Sequence, residues 1–163
     1  MSGLPRRKQG GYFPAMAGAP APLVVRVKRR VQFGDVDPMG VLWHGRYAAF
    51  FEQANEELCR RFGMSYADFR REGVMAPIVQ FHVDYFASAM LGEEVVTTGR
   101  MLWNESARVN IEYEMHKENG ELAAAGYTVQ MFVDENRTPL WAPPPMQLAC
   151  RQRWLAGKWG EPN

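Results

Sequence analysis

The segment FGDVDPMGVLWHGRY (33–47) gathers two aspartates, a proline, three glycines and a histidine between a strand-like run and an amphipathic one. Residues of these types suit hydrolysis of an activated acyl group. A carboxylate attacks as a nucleophile or serves as a base for water, while backbone N–H groups at a helix start, with the helix dipole behind them, hold a developing oxyanion. Asp37 precedes Pro38, which biases it toward extended backbone, and Gly40 lets the chain reverse before the helix begins. Its carboxylate then shares a space with the unpaired first-turn N–H groups of residues 43–46.

Other residues of the segment have plainer readings. Asp35 reads as a turn former, as aspartate commonly is beside proline and glycine. His44 reads as a first-turn residue whose N–H matters more than its ring, so damage on substitution is expected to fall in the order Asp37, His44, Asp35. His82 and His116 lie within strand patterns and receive no role. Glu52, Glu56 and Glu57 belong to the charged edge of the helix, with Glu52 alone placed to approach a site across a subunit boundary. Trp43, Phe50 and Met75 either line an acyl pocket or fill core.

The elements that must position this segment are legible around it. LVVRVKRRVQF (23–33) sets Val25, Val27, Arg29, Val31 and Phe33 on one face, the period-2 pattern of a half-buried strand. From Tyr47 the period changes: Tyr47, Phe51, Ala54, Leu58 and Phe62 form one stripe on a long helix that should stop near Gly63. A short helix follows, with Ser65 as N-cap, Asp68 three residues on and Gly73 closing it. After Pro77 come four strand patterns, over 78–86, 93–104, 107–117 and 121–133. The last two are joined through Asn119 and Gly120, a strong hairpin signal. The order predicts an α+β fold, an antiparallel sheet wrapped around one long helix.

Composition bounds the partners. A chain of 163 residues with 47% hydrophobic content suits one domain, and a net charge of +1 supplies no field to draw it onto nucleic acid. Cys59 and Cys150 are too far apart in sequence for a zinc motif and too few for a disulfide framework, which points to a reducing cytoplasm and to no metal or cofactor. No apolar run is long enough to span a bilayer. Residues 1–22, rich in Gly, Pro and Ala, read as a disordered arm rather than a signal peptide, residues 23–150 as the domain and 151–163 as a tail.

The stretch FGDVDPMGVLWHGRYAAFFE resembles the active-site segment of the 4-hydroxybenzoyl-CoA thioesterase-like hotdog-fold acyl-CoA thioesterases, roughly F-x-D-x-D-x-x-G-h-V-h-h/H-x-x-Y with h apolar. GVMAPIVQFHVDYFASAMLGEEVVTTGRM is similar to the family's second and third strands, and RVNIEYEMHKENGELAAAGYTVQMFVD to its closing hairpin, so the likeness runs from Leu23 to about Pro145. It implies a hotdog fold, hydrolysis of an acyl-CoA, Asp37 as catalytic carboxylate and the His44 N–H as polariser of the thioester carbonyl. Gly40, Trp43, Gly45, Tyr47 and Pro77 are the substrate-binding positions it implies. It also implies homodimers or homotetramers that admit the pantetheine arm between subunits. Two features depart from the pattern: Arg46 stands where many relatives have Asn, and the arm precedes the first strand. An acyl-thioester hydratase or dehydratase would keep the fold, but the H-F-P-x-x-P-like turn of that class is absent. A non-catalytic acyl-binding protein would leave Asp37 without a task. Arg70, Arg71, Arg100 and Arg108 are candidates for the CoA phosphates, and spacing does not choose among them.

Overall fold

A computed structural model describes residues 11–159. Among the described residues, strand β1 (Leu23–Arg30) is followed by helices α1 (Tyr47–Arg61) and α2 (Tyr66–Glu72), then by strands β2 (Val74–Met75), β3 (Ile78–Tyr85), β4 (Glu94–Leu102), β5 (Arg108–Lys117), β6 (Leu122–Met131) and β7 (Val133–Asp134), and last by helix α3 (Pro145–Leu155). Five strands form one antiparallel sheet in the order β1-β4-β5-β6-β3, and β2 pairs with β7. This is the hotdog arrangement, with α1 as the filling.

The stripe on α1 explains the packing. Tyr47, Phe51, Ala54, Leu58 and Phe62 are all buried against the sheet, and the Phe51 ring stacks on Tyr113 of β5 with centroids 4.5 Å apart. Gly99 on β4 makes the close approach possible: a Cβ there would stand 3.0 Å from a Leu58 methyl and 3.3 Å from the Ala54 Cβ. The second helix is capped as its sequence predicts. The Ser65 hydroxyl accepts from the Asp68 N–H, the Asp68 carboxylate accepts from the Ser65 N–H, and Gly73 closes the helix at φ 64°.

Three regions differ from the sequence expectation. β1 ends at Arg30 instead of running to Phe33, because the Asp35 carboxylate accepts from the Gln32 N–H and turns 33–35 into a 3-10 turn that leaves Phe33 84% exposed. The boundary expected at residue 150 falls inside α3, whose Met146, Cys150 and Trp154 enter the same core. Residues 11–22 run against the sheet: the Tyr12 and Phe13 N–H groups donate to the Glu112 carboxylate, the Tyr12 hydroxyl to Asp84, and the Trp154 indole to the Ala21 carbonyl. The first ten residues of the expected arm, and the last four of the expected tail, lie outside the described residues. Among the described residues no helix is long and apolar enough to cross a membrane.

Candidate active site

Between β1 and α1 the chain makes a small closed loop. Val36 bridges to Leu42, the Asp37 N–H donates to the Val41 carbonyl at 2.9 Å, and Gly40 N–H returns to the Asp37 carbonyl at 2.9 Å. Gly40 takes φ 75°, the left-handed turn its type was chosen to allow. The base of the loop is held by Asp35, which is buried: its carboxylate takes the Arg29 guanidinium at 2.8 Å, and its carbonyl accepts the Trp43 N–H at 3.0 Å. Arg29 in turn lies over the Phe50 ring at 4.1 Å. Asp35, read from sequence as a turn former, is therefore also the buried anchor of the loop.

Asp37 sits on this loop with one oxygen engaged and one open. Its Oδ1 accepts from the Met39 N–H at 2.8 Å and the Val41 N–H at 3.4 Å, and Oδ2 has no donor among the described residues. The backbone thus fixes the direction of a half-buried carboxylate whose second oxygen is left unengaged among the described residues. Directly after the loop, His44–Arg46 form a 3-10 turn that leads into α1. The Arg46 N–H is used by the Trp43 carbonyl, whereas those of His44 and Gly45 have no acceptor among the described residues. The sequence predicts free first-turn donors over residues 43–46; those of Trp43 and Arg46 are engaged, which leaves the N–H groups of His44 and Gly45 without an acceptor among the described residues.

The remaining candidates divide. The Trp43 ring lies against the His44 ring and over Gly45, where a Cβ would overlap it. Tyr47 is buried, its phenol held above the ordinary range by that burial and then by Tyr85. Arg46, the departure from the family pattern, ties its Nε back to the Gly34 carbonyl at 3.1 Å. Pro77 is not beside Asp37: it precedes β3, whose far end carries Tyr85, and eight strand residues span roughly 25 Å. Phe50 is core, while Met75 is exposed. Arg71 pairs with Asp68 and Arg100 with Glu114.

Two features escaped the sequence reading. The Tyr85 hydroxyl donates to the His44 carbonyl at 3.0 Å, a link between positions 41 apart that no local pattern announces. A cavity of about 430 Å³ opens between α1, α2 and the start of β3, lined by Asn55, Met64, Phe69, Met75 and Ile78, with Glu52 and Cys59 on its α1 wall. Glu52, expected on a solvated edge, accepts there from the Tyr66 hydroxyl at 3.2 Å. The Cys59 thiol is pushed up to about 12 by burial, with the Glu52 charge adding, so it is no thiolate nucleophile at neutral pH. Among the described residues no group of three or more His, Cys, Asp or Glu is placed to hold a metal.

A family model described as the thioesterase-like superfamily matches residues 31–153. The chain belongs to the thioesterase-like superfamily. It is an enzyme of that family, a thioester hydrolase of the acyl-CoA thioesterase type. This thioesterase is 24% identical over 105 residues to the candidate acyl-CoA thioesterase YneP of Bacillus subtilis, covering 64% of this chain and 76% of that one. It is 23% identical over 125 residues to the 1,4-dihydroxy-2-naphthoyl-CoA hydrolase of Thermosynechococcus vestitus, covering 74% and 86%. Among solved structures, DHNA-CoA thioesterase from Staphylococcus aureus superposes with a TM-score of 0.74 at 27% identity, over 83% of this thioesterase and 93% of that chain.

Proposed function

We propose that this thioesterase hydrolyses an acyl-CoA to the free acid and CoA, with Asp37 as its catalytic carboxylate and the N–H groups of His44 and Gly45 as its oxyanion donors. The observation that carries the reading is the half-engaged Asp37 carboxylate, aimed by two backbone N–H groups and open at Oδ2, on the loop that feeds two unclaimed first-turn donors. Two routes use these groups. In one, Oδ2 attacks the thioester carbon, the carbonyl oxygen takes the negative charge under the N–H groups, and the C–S bond breaks to release the CoA thiolate. Water then hydrolyses the mixed anhydride. In the other, the carboxylate accepts a proton from water as the oxygen attacks the same carbon, and the thiolate leaves as before. Neither route calls on a metal or cofactor.

The site reads best as shared between two copies. β3 is an edge strand, and Ile78, Val79, Phe81 and Tyr85 expose 43%, 50%, 46% and 51% of their surface. Antiparallel pairing of β3 with itself across a twofold axis sets the Pro77 end of one copy beside the Tyr85 end of the other. The cavity bordered by Ile78 would then abut the partner's Asp37 loop and receive the acyl group. Pro77 becomes a substrate-side residue only in that arrangement. A cytoplasmic setting suits the two free thiols.

Thiol release measured across aromatic, short-chain and long-chain acyl-CoAs identifies the substrate and tests the assignment. Asp37→Asn should still bind its best acyl-CoA but hydrolyse it slower by roughly a thousandfold or more, with His44→Ala costing less because the backbone N–H survives. Turnover by Asp37→Asn within about threefold of wild type, under roughly 1 kcal/mol, makes the aspartate a turn residue only.

A further inference from the structure

We infer that Tyr85 is a positioning residue for the oxyanion donors: by holding the His44 carbonyl, its hydroxyl aims the N–H of Gly45 at the thioester oxygen. The inference rests on the reading of the 44–46 turn as the oxyanion hole. A trans peptide is planar, so the carbonyl of His44 and the N–H of Gly45 belong to one rigid unit and point in opposite directions. A donor fixed to the carbonyl side therefore sets where the N–H points. The Tyr85 hydroxyl is such a donor, at 3.0 Å.

Tyr85 is itself well placed to hold its aim. Its backbone is in β3, paired with Ala124 of β6, and its ring meets the buried Tyr47 ring edge to face, with centroids 4.9 Å apart at 81°. Tyr47 opens α1, so the same aromatic pair joins the sheet to the helix whose first turn carries the donors. From the other side the Trp43 ring closes over Gly45. The peptide is thus held by a hydroxyl on its carbonyl and an indole over its Cα. Hydrogen bonding at the carbonyl also polarises the amide and strengthens its N–H as a donor.

Half of Tyr85 is exposed, and an exposed hydroxyl hydrogen bond contributes little to stability. Its effect should appear in the chemical step. Tyr85→Phe keeps the ring against Tyr47 and removes only the donor. The expected result is a kcat lower by about tenfold, short of the roughly hundred- to thousandfold that losing a whole oxyanion donor costs, with KM and Tm unchanged. A second readout needs no turnover. With the best acyl-CoA carrying a ¹³C carbonyl bound to Asp37→Asn, infrared difference spectroscopy should record the carbonyl stretch shifted to lower frequency, and adding Tyr85→Phe should remove much of that shift. An undiminished carbonyl shift in the double variant, or a lower Tm with kcat unchanged in the single variant, overturns the inference. If Asp37→Asn still turns over, the catalytic reading falls instead, and the wild-type against Tyr85→Phe comparison of kcat still decides the role of Tyr85.

Discussion

Asp35 and Asp37 stand two positions apart on one loop, and the backbone gives them different neighbours. The Asp35 side chain turns inward to a guanidinium that is only 20% exposed, while the Asp37 side chain meets only backbone N–H groups of its own loop. Their replacements should therefore fail in different ways. Asp35→Asn leaves Arg29 over Phe50 without its counter-charge, and breaking a pair so situated should lower stability by about 2–4 kcal/mol, read by urea unfolding. The double variant Arg29→Met, Asp35→Asn should recover part of that loss, since no charge is then left unpaired. The order of damage expected from sequence, with Asp35 last, concerns the chemical step and not stability. An Asp35→Asn protein as stable as wild type removes the anchor role.

At the scale of elements, α2 offers a clean test because its cap is closed by two side chains. Ser65→Ala should cost about 1 kcal/mol. The Asp68 carboxyl is held below its ordinary value of 3.8 chiefly by the Ser65 hydroxyl and N–H, so its contribution is complete above that value and is lost as pH falls through the lower, folded value. Amide exchange in α2 should accelerate in that acid window, and Ser65→Ala should weaken the acid dependence, the N–H of residue 65 and Arg71 still facing the carboxylate. This helix was legible in sequence because everything that shapes it is local: cap, third residue and closing glycine lie within nine positions. The stripe of α1 was legible for the same reason. What stayed hidden lies where a local signal is overridden or a partner is distant. The strand to Phe33 was cut short by a carboxylate from beyond its end, α3 was masked by the prolines at 143–145 of which the last is its first residue, and Tyr85 reaches the site only when β3 takes the sheet edge. Asp37 and Gly40 stood out by their spacing in sequence, whereas Pro77 lies ahead of β3, at the opposite end of that strand from Tyr85.

For the whole molecule, the uncovered β3 edge predicts a symmetric homodimer at micromolar concentration by light scattering. Val79→Lys, which sets a charge at an exposed position of that edge, should yield the monomeric mass and lose thioester hydrolysis with it. A wild-type monomer that turns over substrate overturns the shared site. Residues 11–22 dock across β3, β5, β6 and α3, so this segment belongs to the same architecture. Both cysteines sit within it as well, buried and protonated: burial pushes Cys59 up to about 12 and Cys150 up to about 11. A chromogenic disulfide reagent added at mildly alkaline pH consequently meets one reactive population, the CoA thiol that the enzyme liberates, and the colour reads product without a protein background. The same silence makes the two thiols a clock for the fold, since each reacts only in molecules that have opened.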